Sequence, residues 1–117
     1  MNTNTMPLEA ETRVLIDRSL ENLGWKLSGK DQNVYYEQPR TEAEKKKLGE
    51  KRPDYVLYSK ESDRPLIVIE AKKKGSRIDA ALEQGIGYAR AINAPLVFAT
   101  DGVFCKAFHT DANRPQS

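Results

Sequence analysis

The segment that most constrains the fold of this chain is 65–72, with the sequence PLIVIEAK. Successive side chains of a strand point to opposite faces, so its apolar residues would lie alternately on the two faces. Both faces are therefore apolar, which is typical of a central strand in a sheet that is covered on both sides. Pro65 stands at the first position, where a strand tolerates the missing N–H. The sequence thus predicts a layered α/β domain built around this strand.

The length and composition bound the class of protein. The chain has 117 residues, which matches one domain of about 100–200 residues and leaves no room for a TIM barrel. Hydrophobic residues make up 38% and charged residues 31%, so the chain is not disordered by composition. One cysteine, Cys105, and one histidine, His109, exclude an internal disulfide and a Cys/His zinc site within this sequence. Cys105 is interpreted as a small core residue and His109 as a surface residue. With no apolar run of about 18–20 residues and no secretory signal, a cytoplasmic location is expected.

Two segments have the apolar spacing of amphipathic helices. The first covers 8–23, and the second covers about 77–92. The S-x-x-D signature of Ser76 and Asp79 predicts an N-terminal cap for the second helix. Segment 38–52, which is rich in Lys and Glu, is predicted to be a loop.

Segments rich in β-forming residues are predicted to be strands, at 33–37, 55–58, 65–72, 95–100 and 103–108. The element order is therefore αβββαββ, which indicates a mixed sheet with one helix on each face. The connection through helix 77–92 implies one parallel, right-handed crossover. The chain is interpreted as a single domain over 1–117, with disordered tails at about 1–7 and 109–117.

Two acidic residues stand at the open end of the hairpin that strands 55–58 and 65–72 would form. A hairpin that is symmetric about its turn has three opposed pairs: Tyr58 with Leu66, Val56 with Val68, and Asp54 with Glu70. Opposed side chains share a face, with Cβ atoms about 4.5–5.5 Å apart. The two carboxylates are therefore predicted to lie side by side, and Lys72, two residues beyond Glu70, to lie on the same face.

Paired carboxylates repel each other, which raises one pKa unless a cation lies between them. Oxygen ligands without sulfur or imidazole suit Mg²⁺ or Mn²⁺. The backbone carbonyl of Ala71 is a further candidate ligand, and the Lys72 ammonium is placed to stabilise charge on a phosphate or to position a water. The alternative is a surface salt bridge of Lys72 with Glu70 or Asp54.

The net charge of +2 is too small to indicate nucleic-acid binding, but its distribution is uneven. Segment 40–52 has six basic and three acidic residues, and segment 72–77 has four basic residues and no acidic one. Lys73, Lys74 and Arg77 follow the predicted central strand and lead into a helix N-terminus, where charge and free N–H groups attract phosphate. The alternative is that both runs are solvated loops.

The motif Pro53-Asp54, a spacer, then Glu70-Ala71-Lys72 resembles that of the PD-(D/E)XK nucleases. Gln84 and Tyr88 match the QxxxY element of RecB-like nucleases and of type I restriction R subunits. The opening EAETRVLID, the stretch RPDYVLY and the stretch PLIVIEAKK also look like the N-terminal nuclease domain of type I R subunits. The resemblance runs from about Glu9 to Phe108.

This resemblance implies a restriction-endonuclease-like fold and a Mg²⁺-dependent deoxyribonuclease with little sequence specificity, in which Mn²⁺ may replace Mg²⁺. It implies that Asp54, Glu70 and the Ala71 carbonyl bind the metal and that Lys72 assists catalysis. Gln84 and Tyr88 would hold DNA or the lysine. An acidic residue of the first helix would lie near the metal, with Glu9 as the first candidate and Glu11 as the second.

The resemblance also implies partners: DNA, and the motor, methylation and specificity parts of a restriction-modification complex. The sequence has no GxxxxGK[ST] phosphate loop, so ATP would be used only in a longer, motor-containing subunit. The chain is interpreted as a fragment of a longer R subunit or a small stand-alone relative. Two alternatives remain: a non-catalytic nucleic-acid-binding or assembly module, and a small interaction domain whose acidic residues pair with lysines.

Overall fold

A computed structural model of the protein describes residues 8–37, 41–50, 52–61 and 63–110, apart from the side chains of Leu8 and Glu9. In chain order the elements are α1 (Leu8–Asn22), β1 (Val34–Tyr36), α2 (Glu42–Leu48), β2 (Tyr55–Tyr58), β3 (Pro65–Ala71), α3 (Ile78–Ile92), β4 (Leu96–Thr100) and β5 (Cys105–His109). No helix within these ranges is long and apolar enough to cross a membrane.

The strands form one sheet in the order β1-β2-β3-β4-β5. Neighbouring strands are antiparallel except β3 and β4, which run parallel and are connected through α3. The strand β3 lies in the middle of the sheet, as its two apolar faces predicted. The predicted α/β fold with a mixed sheet is confirmed.

Each face of the sheet carries its own hydrophobic cluster. On one face, Ile16 and Leu20 of α1 pack in a cluster with Ile69. On the other face, Tyr88 of α3 packs in a cluster with Val68. The alternation of side chains along β3 therefore supplies both clusters from one strand.

The helix α2 lies within segment 38–52, so the prediction of a loop there is wrong. Thr41 caps the helix, because its hydroxyl accepts a hydrogen bond from the Glu44 amide at 3.2 Å. Leu48 is 6% exposed and packs in the same cluster as Tyr88. The sheet therefore has two helices on the α3 face and one on the other, rather than one on each. The T-x-x-E spacing of Thr41 and Glu44 is the sequence signal for this helix.

The predicted cap of α3 is also wrong. The residue that caps α3 is Arg77, and it makes no side-chain capping bond. Asp79 lies in the first turn, where its carboxylate forms an ion pair with Lys106 of β5. Its role is therefore that of a link between α3 and the edge strand rather than half of a capping box with Ser76.

The hairpin register is partly as predicted. Val56 pairs with Val68, but Tyr58 pairs with Pro65 instead of Leu66, because the register shifts between Leu57 and Tyr58. An extra residue of this kind is a β-bulge, which a symmetric turn does not anticipate.

The last strand also differs from its prediction. It begins at Cys105 rather than at residue 103, and it includes His109, which the sequence pattern assigns to the tail. Cys105 is exposed, so its interpretation as a core residue is wrong, whereas His109 is exposed as expected. Thr110, which also belongs to the predicted tail, donates hydrogen bonds from its amide to the Pro95 carbonyl at 2.8 Å and from its hydroxyl to the Ala94 carbonyl at 3.0 Å, so the prediction of disorder is wrong for 109–110. The rest of the two predicted tails, 1–7 and 111–117, lies outside the described residues.

Gly85 lies where α3 packs closely on the sheet, and this gives a first prediction. A Cβ added at Gly85 would lie 2.7 Å from Val97 Cγ1 and 3.2 Å from Glu70 Cγ. We expect Gly85→Ala to lower the free energy of unfolding by about 1–3 kcal/mol, the usual cost of overpacking. Gly87→Ala is the matched control, because a Cβ there meets nothing within 4 Å. Urea denaturation of the two variants measures this difference, and equal stabilities would contradict it.

Candidate active site

Asp54 and Glu70 meet at one end of the hairpin of β2 and β3. Tyr55 pairs with Ile69, so the same register sets Asp54 opposite Glu70. The Asp54 amide donates a hydrogen bond to Glu70 Oε2 at 2.9 Å. The structure therefore brings together the two carboxylates that the hairpin register predicted as neighbours.

The carboxylate of Asp54 is held by two donors. Asp54 Oδ2 accepts a hydrogen bond from the Ala71 amide at 2.7 Å. Asp54 Oδ1 accepts one from Arg13 Nη2, also at 2.7 Å. Its side chain is only 18% exposed. These contacts fix the orientation of the carboxylate at the end of β3.

Glu70 is a buried acid. It is 4% exposed, and burial raises the pKa of its carboxyl to about 8, with the neighbouring Asp54 carboxylate as the second cause. The hydrogen bond from the Asp54 amide and the charges of Lys72 and Arg13 act in the opposite direction without cancelling this rise. At neutral pH Glu70 therefore keeps its proton unless a further cation joins the pair.

Lys72 lies just after β3 and is held by its backbone. Its amide donates to the Thr100 carbonyl at 2.9 Å, and its carbonyl accepts from the Thr12 hydroxyl at 2.8 Å. Its half-buried side chain is close enough to Glu70 for the positive charge to lower the pKa of that acid. Within the described ranges, no carboxylate oxygen lies within 4.0 Å of the Lys72 ammonium. The alternative of a Lys72 salt bridge with either acid is therefore not what the fold forms.

Arg13 of α1 is a site residue that the sequence interpretation missed. Its guanidinium bridges two carboxylates, Asp54 at 2.7 Å and Glu37 at 3.0 Å. Arg13 lies three residues before the buried Ile16, so helical spacing placed it on the sheet side of α1. That spacing is the signal by which it could have been found.

Gln84 and Tyr88 join the site from α3. Tyr88 is 6% exposed within the core, while Gln84 is exposed. Burial raises the pKa of the Tyr88 hydroxyl, and the Glu70 and Asp54 carboxylates raise it further. The charges of Glu70 and Asp54 therefore act on the Tyr88 hydroxyl, and Gln84, one helical turn earlier, lies at the surface.

The basic candidates lie on the surface. Lys73, Lys74 and Arg77 are all exposed in the connection between β3 and α3. Glu9 lies in the first turn of α1, and its side chain is outside the described part of the chain. Glu11, the second candidate from that helix, is exposed.

Two carboxylates are the side-chain donors that the site offers to a divalent cation. Within the described residues, no cluster of three or more Asp, Glu, His or Cys side chains could hold a metal ion. The available acids are thus Asp54 and Glu70, and Mg²⁺ is usually held by one or two carboxylates with waters and substrate phosphate. Burial, and then the neighbouring Asp54 carboxylate, disfavour the ionised form of Glu70, and a bound cation would favour that form. These residues therefore fit Mg²⁺ or Mn²⁺.

The family model described as "Type I restriction enzyme R protein N terminus" matches residues 31–117. This range covers most of the chain, from just before β1 onward. The chain belongs to this family. Of the residues predicted for the site, all except Glu9 and Glu11 of the first helix lie within the matched range of the R protein N terminus.

Two relatives agree with this assignment. A 52-residue stretch is 50% identical to the Type I restriction enzyme EcoAI endonuclease subunit of Escherichia coli, covering 44% of this chain and 6% of that protein. A structure described as a fragment of an HsdR subunit of a type I restriction enzyme from Vibrio vulnificus YJ016 superposes with a TM-score of 0.65 at 22% identity. That match covers 92% of this chain and 22% of the Vibrio chain, so it supports the R-subunit fold over nearly the full length described.

Proposed function

We propose that this R protein N-terminal domain is a Mg²⁺-dependent endonuclease that hydrolyses phosphodiester bonds of DNA. The observation that carries the proposal is the Asp54–Glu70 pair, in which a buried acid with a pKa near 8 lies against a second carboxylate. A metal ligand must be deprotonated, so a cation held by the two acids would displace the proton of Glu70 and supply the positive charge that stabilises its ionised form.

Asp54 and Glu70, with the Ala71 carbonyl, are the proposed metal ligands. A divalent cation held by them would lower the pKa of a bound water and neutralise charge on the phosphodiester. The backbone of Lys72 is anchored by hydrogen bonds at both its amide and its carbonyl. Its ammonium is proposed to stabilise the charge that develops on the phosphate. The resemblance to type I R subunits supports these roles.

The α3 residues are proposed to engage DNA. Gln84 and Tyr88 line a cleft of about 370 Å³ between α2 and α3, which Lys47 also lines. Lys73, Lys74 and Arg77 are proposed to attract the phosphate backbone at the start of α3. Sequence specificity is not expected from this domain, because these contacts are to the backbone.

The context of the domain is proposed from its family. An R subunit acts within a restriction-modification complex, and we propose that DNA and the motor, methylation and specificity components are its partners there. ATP would be needed only by the motor part of a longer subunit. The chain spans only a small share of the two relatives, so their whole activity is not assigned to it.

A second candidate function is a module that binds nucleic acid or assembles a complex without catalysis. The ion pair between Arg13 and Asp54 favours it, because it already neutralises one of the two acids without a metal. This candidate predicts DNA binding that is insensitive to divalent metal and to the loss of Glu70.

Nicking of supercoiled plasmid by the purified chain in Mn²⁺ or Mg²⁺ tests the proposed function. We expect relaxed circles to accumulate with metal and none to form in EDTA, because the acids alone do not activate water. A filter-binding assay on the same DNA measures binding, which tests the second candidate function. Binding without nicking in either metal would contradict the nuclease and support the binding module.

A further inference from the structure

The helix α1 is fastened to the candidate site by two consecutive residues. The Thr12 hydroxyl lies 2.8 Å from the Lys72 carbonyl and 3.2 Å from the Asp101 carbonyl. The next residue, Arg13, reaches Asp54. Thr12 is 2% exposed, so this end of α1 is fixed against the ends of β3 and β4.

The Arg13 guanidinium forms ion pairs with two acids, Asp54 and Glu37, that differ in exposure. Its Nη2 lies 2.7 Å from Asp54 Oδ1, and its Nη1 lies 3.0 Å from Glu37 Oε2. The Asp54 side chain is 18% exposed and the Glu37 side chain is 62% exposed. Glu37 has a φ of 55°, a left-handed conformation that few non-glycine residues adopt, directly after β1. The guanidinium therefore contacts Asp54, which is mostly buried, and Glu37, which is exposed at the surface.

We propose that Arg13 is a tethered cation that neutralises the Asp54–Glu70 pair in the metal-free protein and competes with the divalent cation for Asp54. Arg13 thereby sets the metal affinity of the site. This inference rests on the metal site of the proposed function and adds a residue that lies outside the range matched by the family.

The contacts of Asp54 determine whether removal of the Arg13 guanidinium raises or lowers the metal affinity. When the guanidinium is removed, Asp54 stays in place, because the Ala71 amide still holds its Oδ2. The carboxylate pair then has more negative charge and one more open oxygen, so an incoming cation meets less repulsion. When a cation binds to the wild type, Glu37 remains as a partner that retains the displaced guanidinium near the surface. Arg13 is thus a positioning residue rather than a catalytic one.

Calorimetric titration with Mn²⁺ measures this competition. We expect Arg13→Met to bind Mn²⁺ about tenfold more tightly than the wild type, a change worth about 1.4 kcal/mol. Arg13→Lys keeps the charge but loses the two-pronged geometry, so its affinity should lie between the two. Arg18→Met is the matched control, since Arg18 is an exposed arginine on the same helix, and its affinity should equal that of the wild type. An Arg13→Met protein that binds Mn²⁺ equally or more weakly overturns the inference.

Thermal unfolding of the metal-free protein tests the role of Arg13 independently of nuclease activity. In EDTA at pH 8, Arg13→Met should lower Tm by about 4–8 °C. In an Asp54→Asn background the same substitution should have less than half that effect, because the acid it neutralises is gone. Equal effects in both backgrounds overturn the inference. A wild type that binds Mn²⁺, with the expected Arg13 effects but no nicking, overturns the proposed function alone.

Discussion

Glu70→Gln and Asp54→Asn are each expected to lower the rate of plasmid nicking roughly 100-fold or more at saturating Mn²⁺. The reason is that each substitution removes one of the two neighbouring side-chain acids that are proposed to hold the cation. The charge stabilisation supplied by a catalytic metal is worth several kcal/mol, and each 1.36 kcal/mol is about tenfold in rate. Gel quantification of relaxed circles over time gives the rates.

The control for this loss is Glu61→Gln. Glu61 is an exposed acid at the opposite end of the same hairpin, and we expect its variant to nick at the wild-type rate. Circular dichroism of all variants checks that the sheet is intact. Nicking by Glu70→Gln within a few-fold of the wild type would remove Glu70 from the active site.

The metal-free protein is expected to lose stability as the pH rises from about 5 to about 8, and Glu70 is the cause. Its pKa is near the usual value of 4.5 in the unfolded chain and about 8 in the folded protein. Between these values the folded state binds the proton and the unfolded state does not, so stability falls with pH by up to about 1.4 kcal/mol per unit. Below this window the acid is protonated in both states and contributes no slope.

Glu70→Gln isolates this contribution. The amide resembles the protonated acid, and its oxygen can still accept the hydrogen bond from the Asp54 amide. In EDTA we therefore expect the variant to be more stable than the wild type at pH 9, with a smaller difference at pH 5. Urea denaturation at the two pH values measures both differences. A gap between the proteins that is the same at pH 5 and pH 9 would show that Glu70 does not keep its proton.

The parts of the fold that the sequence predicted are those with strong side-chain patterns. The two apolar faces of 65–72 identified the central strand, and a hairpin about the preceding turn set Asp54 opposite Glu70. The pairing of Val56 with Val68 is confirmed. The bulge in β3 opposite Leu57 and Tyr58 was not predictable from the turn, because nothing in the alternation marks where one strand gains a residue.

The parts that were missed depend on tertiary packing. The helix α2 has a single buried apolar residue, Leu48, so its burial pattern is too weak to distinguish it from a charged loop. Its capping residues Thr41 and Glu44 did carry a local signal. The helical spacing of Arg13 placed it on the sheet side of α1, but its partners Asp54 and Glu37 follow only from the packing of α1 on the sheet. Glu70 is likewise buried where Gly85 of α3 packs closely against it. No local sequence pattern predicts this packing.

The central claim is that the Asp54–Glu70 pair binds a divalent cation, and proton release on binding tests it most directly. Calorimetric titration of Mn²⁺ at pH 7 in two buffers of different ionisation enthalpy counts the protons released. Because Glu70 has a pKa of about 8, we expect about one proton for each Mn²⁺ bound by the wild type, and none from Glu70→Gln. Binding without proton release, or the same release from both proteins, would contradict the account.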